Sequence, residues 1–273
     1  MNVMILAAGE GRRLRPLTNK IPKPAIPFLN VPLIGWSLIH VLELGIDIVT
    51  INTWHLPEKM TGITKSFPDF KFNISHDGNT LLGGGGGFKL AATRYGFKGT
   101  TLLMNGDEIL IPSHKNWLGD FITFHRNSGA QATLLAMDYP GVGVKFGGIW
   151  VDENNRIHGF GKSPPQPNLH GLHFPGVFLL EDTILKKIPD GPSNLIHDVL
   201  AKLINQPGAV QVYKITGHWF ETGNADDFVA ATGKCLSLLS IKESHVVHVV
   251  QRWSPKSNLI RQNEALILAD RPP

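Results

Sequence analysis

The sequence predicts an α/β fold built on a doubly wound, mostly parallel sheet, with a small C-terminal β appendage. Short apolar runs of strand length alternate with segments of helical periodicity through the first two thirds of the chain. Glycines such as Gly45 and Gly96 end the helical segments, and polar residues follow several of the apolar runs. Alternation of this kind places helices on both faces of a parallel sheet. A chain of 273 residues is long enough for one such domain with a small extension.

The first half of the chain supplies the predicted centre of the sheet. Its apolar runs are short enough for buried strands, whereas Pro32–Leu44 has apolar residues at helical spacing and stops at Gly45. A run of five glycines, Gly83–Gly87, is predicted to be a loop of small residues that leads into a helix. The predicted strands are Val3–Ala8, Ile46–Asn52, Phe72–His76 and Thr100–Met104, and the predicted helices are Pro32–Leu44, Pro57–Phe67 and Phe88–Tyr95.

The second half is richer in strand patterns and turns. We expect strands at Gln131–Ala136, Gly148–Asp152 and Val210–Ile215, and helices at Ser193–Leu203, with Ser193 as the cap, and Ala225–Leu239.

The last residues differ in character and predict a β-hairpin. Its strands would be His245–Val250 and Ala265–Leu268, joined by a polar loop. We therefore divide the chain into a domain at 1–239 and a C-terminal extension at 240–273. Residues three apart on a strand face opposite sides, so His245 and His248 make a poor metal pair.

Composition excludes several classes of function. The net charge is only +4, and no long basic run interleaved with aromatic residues predicts a nucleic-acid surface. No apolar run approaches the roughly 20 residues that a membrane helix needs, so we expect no membrane partner. Cys235 is the single cysteine, which rules out an intrachain disulfide and fits the cytoplasm.

The N-terminal segment has the composition of a phosphate-binding loop. An apolar run passes into glycines and then into arginines, in the sequence VMILAAGEGRRLRPLT, with Pro22-Lys23-Pro24 close behind. Backbone N–H groups and cations arranged in this way bind phosphates. A dinucleotide fingerprint requires a third glycine where this chain has Leu14, and the acid expected ~20 residues later is missing. No Gly-Lys-Ser/Thr follows these N-terminal glycines, which excludes a Walker P-loop here, and an NAD-dependent oxidoreductase is disfavoured.

These residues resemble the signature of the sugar-1-phosphate nucleotidylyltransferases, the NDP-sugar pyrophosphorylases. The likeness extends over about residues 1–232 and is nearest to compact bacterial enzymes that act on N-acetylmuramate 1-phosphate or mannose 1-phosphate. The resemblance implies a Rossmann-like fold of the nucleotide-diphospho-sugar transferase type. It also implies the transfer of a nucleotide from an NTP to a sugar 1-phosphate, with Mg²⁺ as cofactor. Further segments that match in order are the glycines near Gly84, Asn105-Gly106-Asp107, Phe160-Gly161-Lys162, Phe174-Pro175-Gly176 and Trp219-Phe220-Glu221-Thr222-Gly223.

The resemblance assigns roles to individual residues. Arg13 would hold the triphosphate, Lys23 would stabilise the charge on the α-phosphate, and Asp107 would bind the metal, with Glu221 as its second carboxylate. Asp107 also follows a predicted central strand, which is where ligands bind in open α/β sheets. The remaining nucleotide contacts would be Ala8, Gly9, Gly11, Gly84, Gly85 and Asn105, and the sugar-phosphate contacts would be Gly147, Lys162 and Gly176.

Departures from the family pattern leave alternatives open. Glu221 stands where the family usually has aspartate, and no glutamate precedes Lys162. We expect UTP as the nucleotide, with an N-acetylated or simple hexose 1-phosphate as acceptor. The same chemistry on another acceptor, such as phosphocholine with CTP, is an alternative. A weakly active regulatory protein that binds nucleotide sugars is another, and the protein is expected to be a monomer or a homodimer.

Overall fold

The computed structural model describes residues 1–239, 245–255, 257–262 and 265–270, the last two ranges by their backbone alone. Its α-helices are α1 (Leu33–Leu42), α2 (Pro57–Ile63), α3 (Gly83–Tyr95), α4 (Trp117–Ser128), α5 (Ala201–Leu203), α6 (Ala225–Leu239) and α7 (His245–Trp253). Short 3-10 helices connect several of these elements. No helix in the described ranges is long and apolar enough to cross a membrane.

The strands divide into a large sheet and four small ones. The first eight are β1 (Asn2–Leu6), β2 (Pro27–Phe28), β3 (Val31–Pro32), β4 (Ile48–Thr53), β5 (Lys71–His76), β6 (Thr101–Asn105), β7 (Ile109–Pro112) and β8 (Ala132–Ala136). The others are β9 (Gly148–Val151), β10 (Ile157–Gly161), β11 (His170–Leu172), β12 (Val177–Leu180), β13 (Val210–Lys214), β14 (Gly217–Phe220), β15 (Ser257–Gln262) and β16 (Ala265–Asp270).

The large sheet has seven strands in the order β13-β8-β12-β6-β1-β4-β5. All neighbouring pairs are parallel except the two that involve β12, which runs antiparallel to both β6 and β8. The mostly parallel sheet is therefore confirmed. Leu6 of β1 is in register with Asn52 of β4 on one side and with Asn105 of β6 on the other. The carboxyl ends of three central strands thus lie side by side, and the loops that follow them meet at one edge.

Helices pack on both faces of this sheet, as the alternation of elements predicts. Successive residues of a strand point to opposite faces. Val3 and Ile5 accordingly belong to a core that includes residues of α1, α2 and α4. Met4 points the other way, into a core with residues of α3 and of the segment Leu195–Leu200. The sheet is doubly wound, and its central strand is buried on both sides.

The glycine run is helical, which corrects the prediction of a loop before Phe88. All five glycines of 83–87 lie inside α3. Glycine is about 1 kcal/mol less favourable than alanine in a helix, but here the helix packs too closely for side chains. A Cβ on Gly86 would overlap the backbone oxygen of Gly191, and one on Gly87 would lie 2.6 Å from Nδ2 of Asn52. Close tertiary packing therefore explains the glycines at positions 86 and 87 of this helix.

Two further elements differ from the prediction. The segment expected to be a helix capped by Ser193 begins as a π-helix, Leu195–Leu200, and its cap is Asn194, whose side chain accepts a hydrogen bond of 2.9 Å from the N–H of His197. The segment expected to be a strand at His245–Val250 is the helix α7 instead. Its apolar residues Val246, Val249 and Val250 are buried at helical spacing in a core with α1.

The C-terminal hairpin therefore uses a different first strand. β15 pairs antiparallel with β16, in register from Ser257↔Asp270 to Gln262↔Ala265. His245 and His248 are one helical turn apart on α7, so they share a face, contrary to the prediction from a strand. The division of the chain at residue 239 stays a prediction.

Candidate active site

The N-terminal loop follows β1 at the carboxyl edge of the sheet. The N–H of Ala7 donates a hydrogen bond of 2.9 Å to Oδ1 of Asn52, which fixes the start of the loop against the end of β4. Gly11 has φ of +61° and a Cβ there would lie 2.8 Å from Thr18, so the turn requires glycine. These contacts fix the loop above the edge of the sheet, where its residues border a cavity.

The cavity has a volume of about 420 Å³ and brings together most of the residues assigned to the nucleotide. It is also lined by Asn52 and Leu81, which the sequence did not single out. The predicted residues that line it are Ala8, Gly9, Gly11, Arg13, Lys23, Gly84, Asn105 and Asp107. Gly85 is not among its lining residues, because its N–H donates to the backbone oxygen of Ser193 at 2.9 Å.

The first turn of α3 borders the same cavity, through Gly83 and Gly84. A Cβ on Gly84 would meet nothing closer than Leu6 Cδ1 at 3.5 Å, so the space beside this glycine is not filled by protein. The N-terminus of a helix offers free N–H groups and a partial positive charge, both of which favour phosphate. The helical form of the glycine run therefore adds a second anion-binding element to the loop.

Cations that line the cavity pair with carboxylates, of which Asp107 lines the same cavity and Glu221 lines a second one of about 210 Å³. Nζ of Lys23 lies 2.6 Å from Oδ2 of Asp107, and Lys23 is largely buried. A guanidinium nitrogen of Arg13 lies 3.8 Å from Oε1 of Glu221, and the Arg13 side chain is mostly exposed. Arg12 and Arg15 both pair with Glu10 instead, Arg15 at 3.2 Å. The two cations assigned to the triphosphate thus contact the two carboxylates assigned to the metal.

The two carboxylates meet the chemical requirements of a hard cation. Among the described residues, no group of three or more His, Cys, Asp or Glu side chains could enclose a metal ion. Asp107 and Glu221 are nevertheless held near one another, because Thr222 donates a hydrogen bond of 2.9 Å to the backbone oxygen of Asp107. Mg²⁺ is typically bound through one or two carboxylates plus phosphate oxygens of the substrate. Asp107 lines the cavity and Thr222 ties Glu221 to it, so the two carboxylates are candidates for such a site.

Glu108 is a site residue that the sequence reasoning missed. Its partly buried carboxylate accepts hydrogen bonds from Nδ2 of Asn105 at 3.1 Å and from Nε1 of Trp219 at 2.6 Å. Removal from water, and then repulsion from the neighbouring Asp107, raises the pKa of Glu108 to about 7. A second acid directly after Asp107 was the available signal.

Asp77 was also missed, and it supports the part of the cavity that α3 borders. Its carboxylate accepts hydrogen bonds from Nδ2 of Asn52 at 3.3 Å and from the N–H of Leu82 at 3.3 Å, just before α3. Burial raises the pKa of Asp77. Asp77 and Asn52 together tie α3 to the N-terminal loop.

The residues assigned to the sugar phosphate lie outside the cavity. Gly147 and Lys162 flank the paired strands β9 and β10, where Gly148 is in register with Gly161. The ammonium of Lys162 is exposed and contacts only the backbone oxygen of Val144, at 3.4 Å, among described hydrogen bonds. Gly176 lies against Asn105, whose N–H donates to its oxygen at 2.8 Å, and a Cβ on Gly176 would lie 2.6 Å from Nδ2 of Asn105.

Aromatic side chains cluster around Trp219, two residues before Glu221. The rings of His173 and Trp219 are 4.0 Å apart, and Tyr139 and Phe146 pack against both. Burial lowers the pKa of His173 to about 4, so the imidazole is neutral at physiological pH. The rings of Tyr139, Phe146, His173 and Trp219 thus form an aromatic wall, and Lys162, predicted to contact the sugar phosphate, is exposed.

A family model described as Nucleotidyl transferase matches residues 2–237 of the chain. A UTP–glucose-1-phosphate uridylyltransferase of Synechocystis sp. is 28% identical over 251 residues, which are 87% of this chain and 64% of the relative. A mannose-1-phosphate guanyltransferase 2 of Candida glabrata is 28% identical over 247 residues, 88% of this chain and 66% of the relative. The chain therefore spans slightly less than two thirds of the length of both relatives.

Solved structures show the same fold. The crystal structure of HddC from Yersinia pseudotuberculosis, complexed with GMP-PN, aligns with a TM-score of 0.69 at 20% identity, over 85% of this chain and 98% of that one. At that identity the likeness concerns the fold alone.

Proposed function

The chain belongs to the nucleotidyl transferase family, and from this premise we propose that it condenses an NTP with a sugar 1-phosphate to give an NDP-sugar and pyrophosphate. One observation carries the proposal: the N-terminal loop, the first turn of α3 and the Lys23–Asp107 pair border a single cavity of about 420 Å³. Backbone N–H groups, a helix N-terminus and cations are what a triphosphate requires.

The reaction needs no protein nucleophile. A phosphate oxygen of the sugar phosphate forms the new bond to the α-phosphorus of the NTP, and the bond to the β-phosphate oxygen breaks as pyrophosphate leaves. The attacking oxygen is already anionic near neutral pH, so catalysis consists of positioning two polyanions and neutralising charge. Arg13 would hold the triphosphate and the leaving pyrophosphate, and Lys23 would stabilise charge on the α-phosphate.

The Lys23–Asp107 and Arg13–Glu221 ion pairs can exchange carboxylate for phosphate when a substrate binds. When a triphosphate enters, Lys23 and Arg13 can turn from Asp107 and Glu221 to phosphate oxygens, which frees both carboxylates. Asp107 and Glu221 are then the residues that would hold Mg²⁺. Bound there, the metal would neutralise phosphate charge and orient the triphosphate. Glutamate is one methylene longer than aspartate, so Glu221 can reach the metal from slightly farther away.

The finer assignments are also proposals. UTP is the proposed nucleotide, with an N-acetylated or simple hexose 1-phosphate as acceptor and a role in cell-wall or surface polysaccharide precursors. The names of the relatives include both UTP–glucose and mannose guanyl transfer, so the family supports the acceptor class more strongly than the base. Cys235 is buried without a partner thiol in the described part of the chain, which fits a reducing cytoplasm.

A matrix of substrates tests this function. Purified protein with Mg²⁺ is given UTP, GTP, CTP or dTTP against glucose, mannose and N-acetylhexosamine 1-phosphates and phosphocholine, and pyrophosphate release is measured. We expect the highest rate with UTP and a hexose 1-phosphate. Pyrophosphate release only with CTP and phosphocholine would show that the acceptor is not a sugar 1-phosphate. Nucleotide-sugar binding without pyrophosphate release would favour the regulatory alternative.

The metal assignment has its own variant pair. Asp107→Asn should lower kcat by about 100-fold or more, and chelation of divalent ions should abolish wild-type activity. Asp120→Asn is the matched control, because Asp120 lies on α4 and its exposed side chain pairs with His114. Unchanged activity in Asp107→Asn would exclude the proposed role of this carboxylate.

A further inference from the structure

Glu108 connects the two strands that lead to the proposed metal carboxylates. It follows Asp107 directly and precedes β7, while its partner Trp219 lies on β14, two residues before Glu221. β14 pairs with β7, with Trp219 opposite Leu110. Both oxygens of Glu108 are engaged, one by Asn105 and one by Trp219. Glu108 is therefore held by two donors and is not among the residues that line the cavity.

The contacts of Glu108 fix which end of the Asn105 carboxamide it meets. An indole N–H can only donate, so Trp219 takes one carboxylate oxygen of Glu108 as its acceptor. Nδ2 of Asn105 lies 3.1 Å from the other oxygen, so the NH₂ of the carboxamide faces Glu108. Its other atom, Oδ1, receives no hydrogen bond from the described residues. Asn105 lines the nucleotide cavity, and Oδ1 is the end of its carboxamide that is not turned toward Glu108.

The position of Asn105 is otherwise rigid. Its backbone N–H donates to the oxygen of Gly176 at 2.8 Å, and its backbone oxygen accepts from the hydroxyl of Ser37 at 2.7 Å. Gly176 leaves room for the carboxamide, because a Cβ there would lie 2.6 Å from Nδ2 of Asn105 and 2.9 Å from Cγ of Glu108. With the backbone fixed, the remaining choice is which end of the carboxamide faces the cavity.

We propose that Glu108 is a positioning residue, which orients Asn105 so that Oδ1 accepts a hydrogen bond from a hydroxyl or N–H group of the bound substrate. The inference rests on the proposed function of the same cavity. Either the nucleotide or the sugar phosphate can supply such a donor, and separate KM values for the two substrates identify which one does. A site built around an acceptor discriminates strongly against ligands that lack the matching donor.

Glu108→Gln tests the proposal because glutamine has the shape of glutamate but replaces one acceptor oxygen with a donor NH₂ group. The buried indole of Trp219 requires the amide oxygen, so the new NH₂ faces Asn105. Asn105 must then turn its own oxygen away from the cavity and present NH₂ to the substrate. We expect the KM of one substrate to rise about 10- to 100-fold, with a smaller change in kcat and an unchanged melting temperature.

A reciprocal exchange should rescue the variant. In Glu108→Gln combined with Asn105→Asp, the total charge is unchanged and the carboxylate at position 105 can accept from the amide while facing the cavity with its second oxygen. The double variant should recover most of the lost affinity. Asn105→Asp alone places two carboxylates against each other and should be worse than the double variant. If Glu108 had only a structural role, the losses of substrate affinity in the two single variants would add in the double variant.

The Trp219→Phe variant is a second protein in which Glu108→Gln can be tested. Without the indole donor, the amide of Glu108→Gln can keep its oxygen on Asn105, so Glu108→Gln should have little further effect on KM there. Wild-type protein that releases no pyrophosphate would contradict the proposed function. Active wild-type protein with equal KM values in Glu108→Gln, or a double variant no better than Glu108→Gln, would overturn this inference alone.

Discussion

The nucleotide side and the acceptor side of this site differ in how completely the protein builds them. Seven of the residues predicted to contact the nucleotide line one cavity together with Asp107, held by contacts such as Asn52 to Ala7 and by the close packing of α3. By contrast, Gly147, Lys162 and Gly176 lie outside that cavity, and Lys162 is exposed. From this difference we propose that the nucleotide site is preformed and that bound nucleotide completes the acceptor site.

The largest effect should come from Lys23 on the nucleotide side. We expect Lys23→Ala to lower kcat by about 100- to 1,000-fold, because a largely buried cation would no longer stabilise charge on the α-phosphate. Pyrophosphate release measures the loss. Lys20→Ala is the matched control, since Lys20 is exposed and does not line the cavity. Equal losses in both variants would show that charge in this segment acts nonspecifically.

The glycines of α3 separate packing from binding. Gly86→Ala forces a Cβ onto the backbone oxygen of Gly191, so its free energy of unfolding should fall by about 1–3 kcal/mol. Gly84→Ala meets only Leu6 at 3.5 Å, so its stability should be preserved while its KM for the NTP rises. Thermal unfolding and steady-state kinetics measure the two effects. A stable Gly86→Ala protein would contradict the packing explanation of the glycine run.

Acid should destabilise the aromatic wall of the acceptor side. The pKa of His173 is about 4 in the folded protein and about 6.5 when unfolded, so the unfolded state binds the extra proton between these values. Above pH 6.5 the full contribution of His173 to the free energy of unfolding is present. This contribution falls by about 1.4 kcal/mol per pH unit as the pH decreases toward 4. His173→Phe should flatten this pH dependence of unfolding, whereas substitution of the exposed His218 should leave it unchanged.

The smallest effect is expected for Lys162. Its ammonium is exposed and makes one long contact, so Lys162→Ala should raise the KM for the sugar 1-phosphate about 5- to 10-fold and leave the KM for the NTP unchanged. Lys186→Ala removes an equally exposed lysine far along the chain as a control. A rise in the KM for the NTP instead would place Lys162 on the nucleotide side.

Local patterns explain which parts could be predicted from the sequence. β1, β6 and α6 have clear apolar periodicity, and the N-terminal loop combines a strand end, glycines and cations within a few residues. The helical glycine run was not predictable in this way, because its cause is tertiary: Gly191 and Asn52 pack where side chains would stand. The role of Glu108 was missed for the same reason, since Trp219 is 111 residues away in sequence.

His245–Val250 shows the limit of short apolar patterns. Valines in adjacent pairs fit a strand as well as a helix, and burial against α1 decides in favour of the helix α7.

Calorimetric titration of each substrate alone tests the preformed nucleotide site most directly. Mg²⁺ with the preferred NTP should bind to the free protein, whereas the sugar 1-phosphate should show no binding until a non-reactive NTP analogue is present. The reverse result, with the sugar 1-phosphate binding the free protein and the NTP requiring it, would contradict the account.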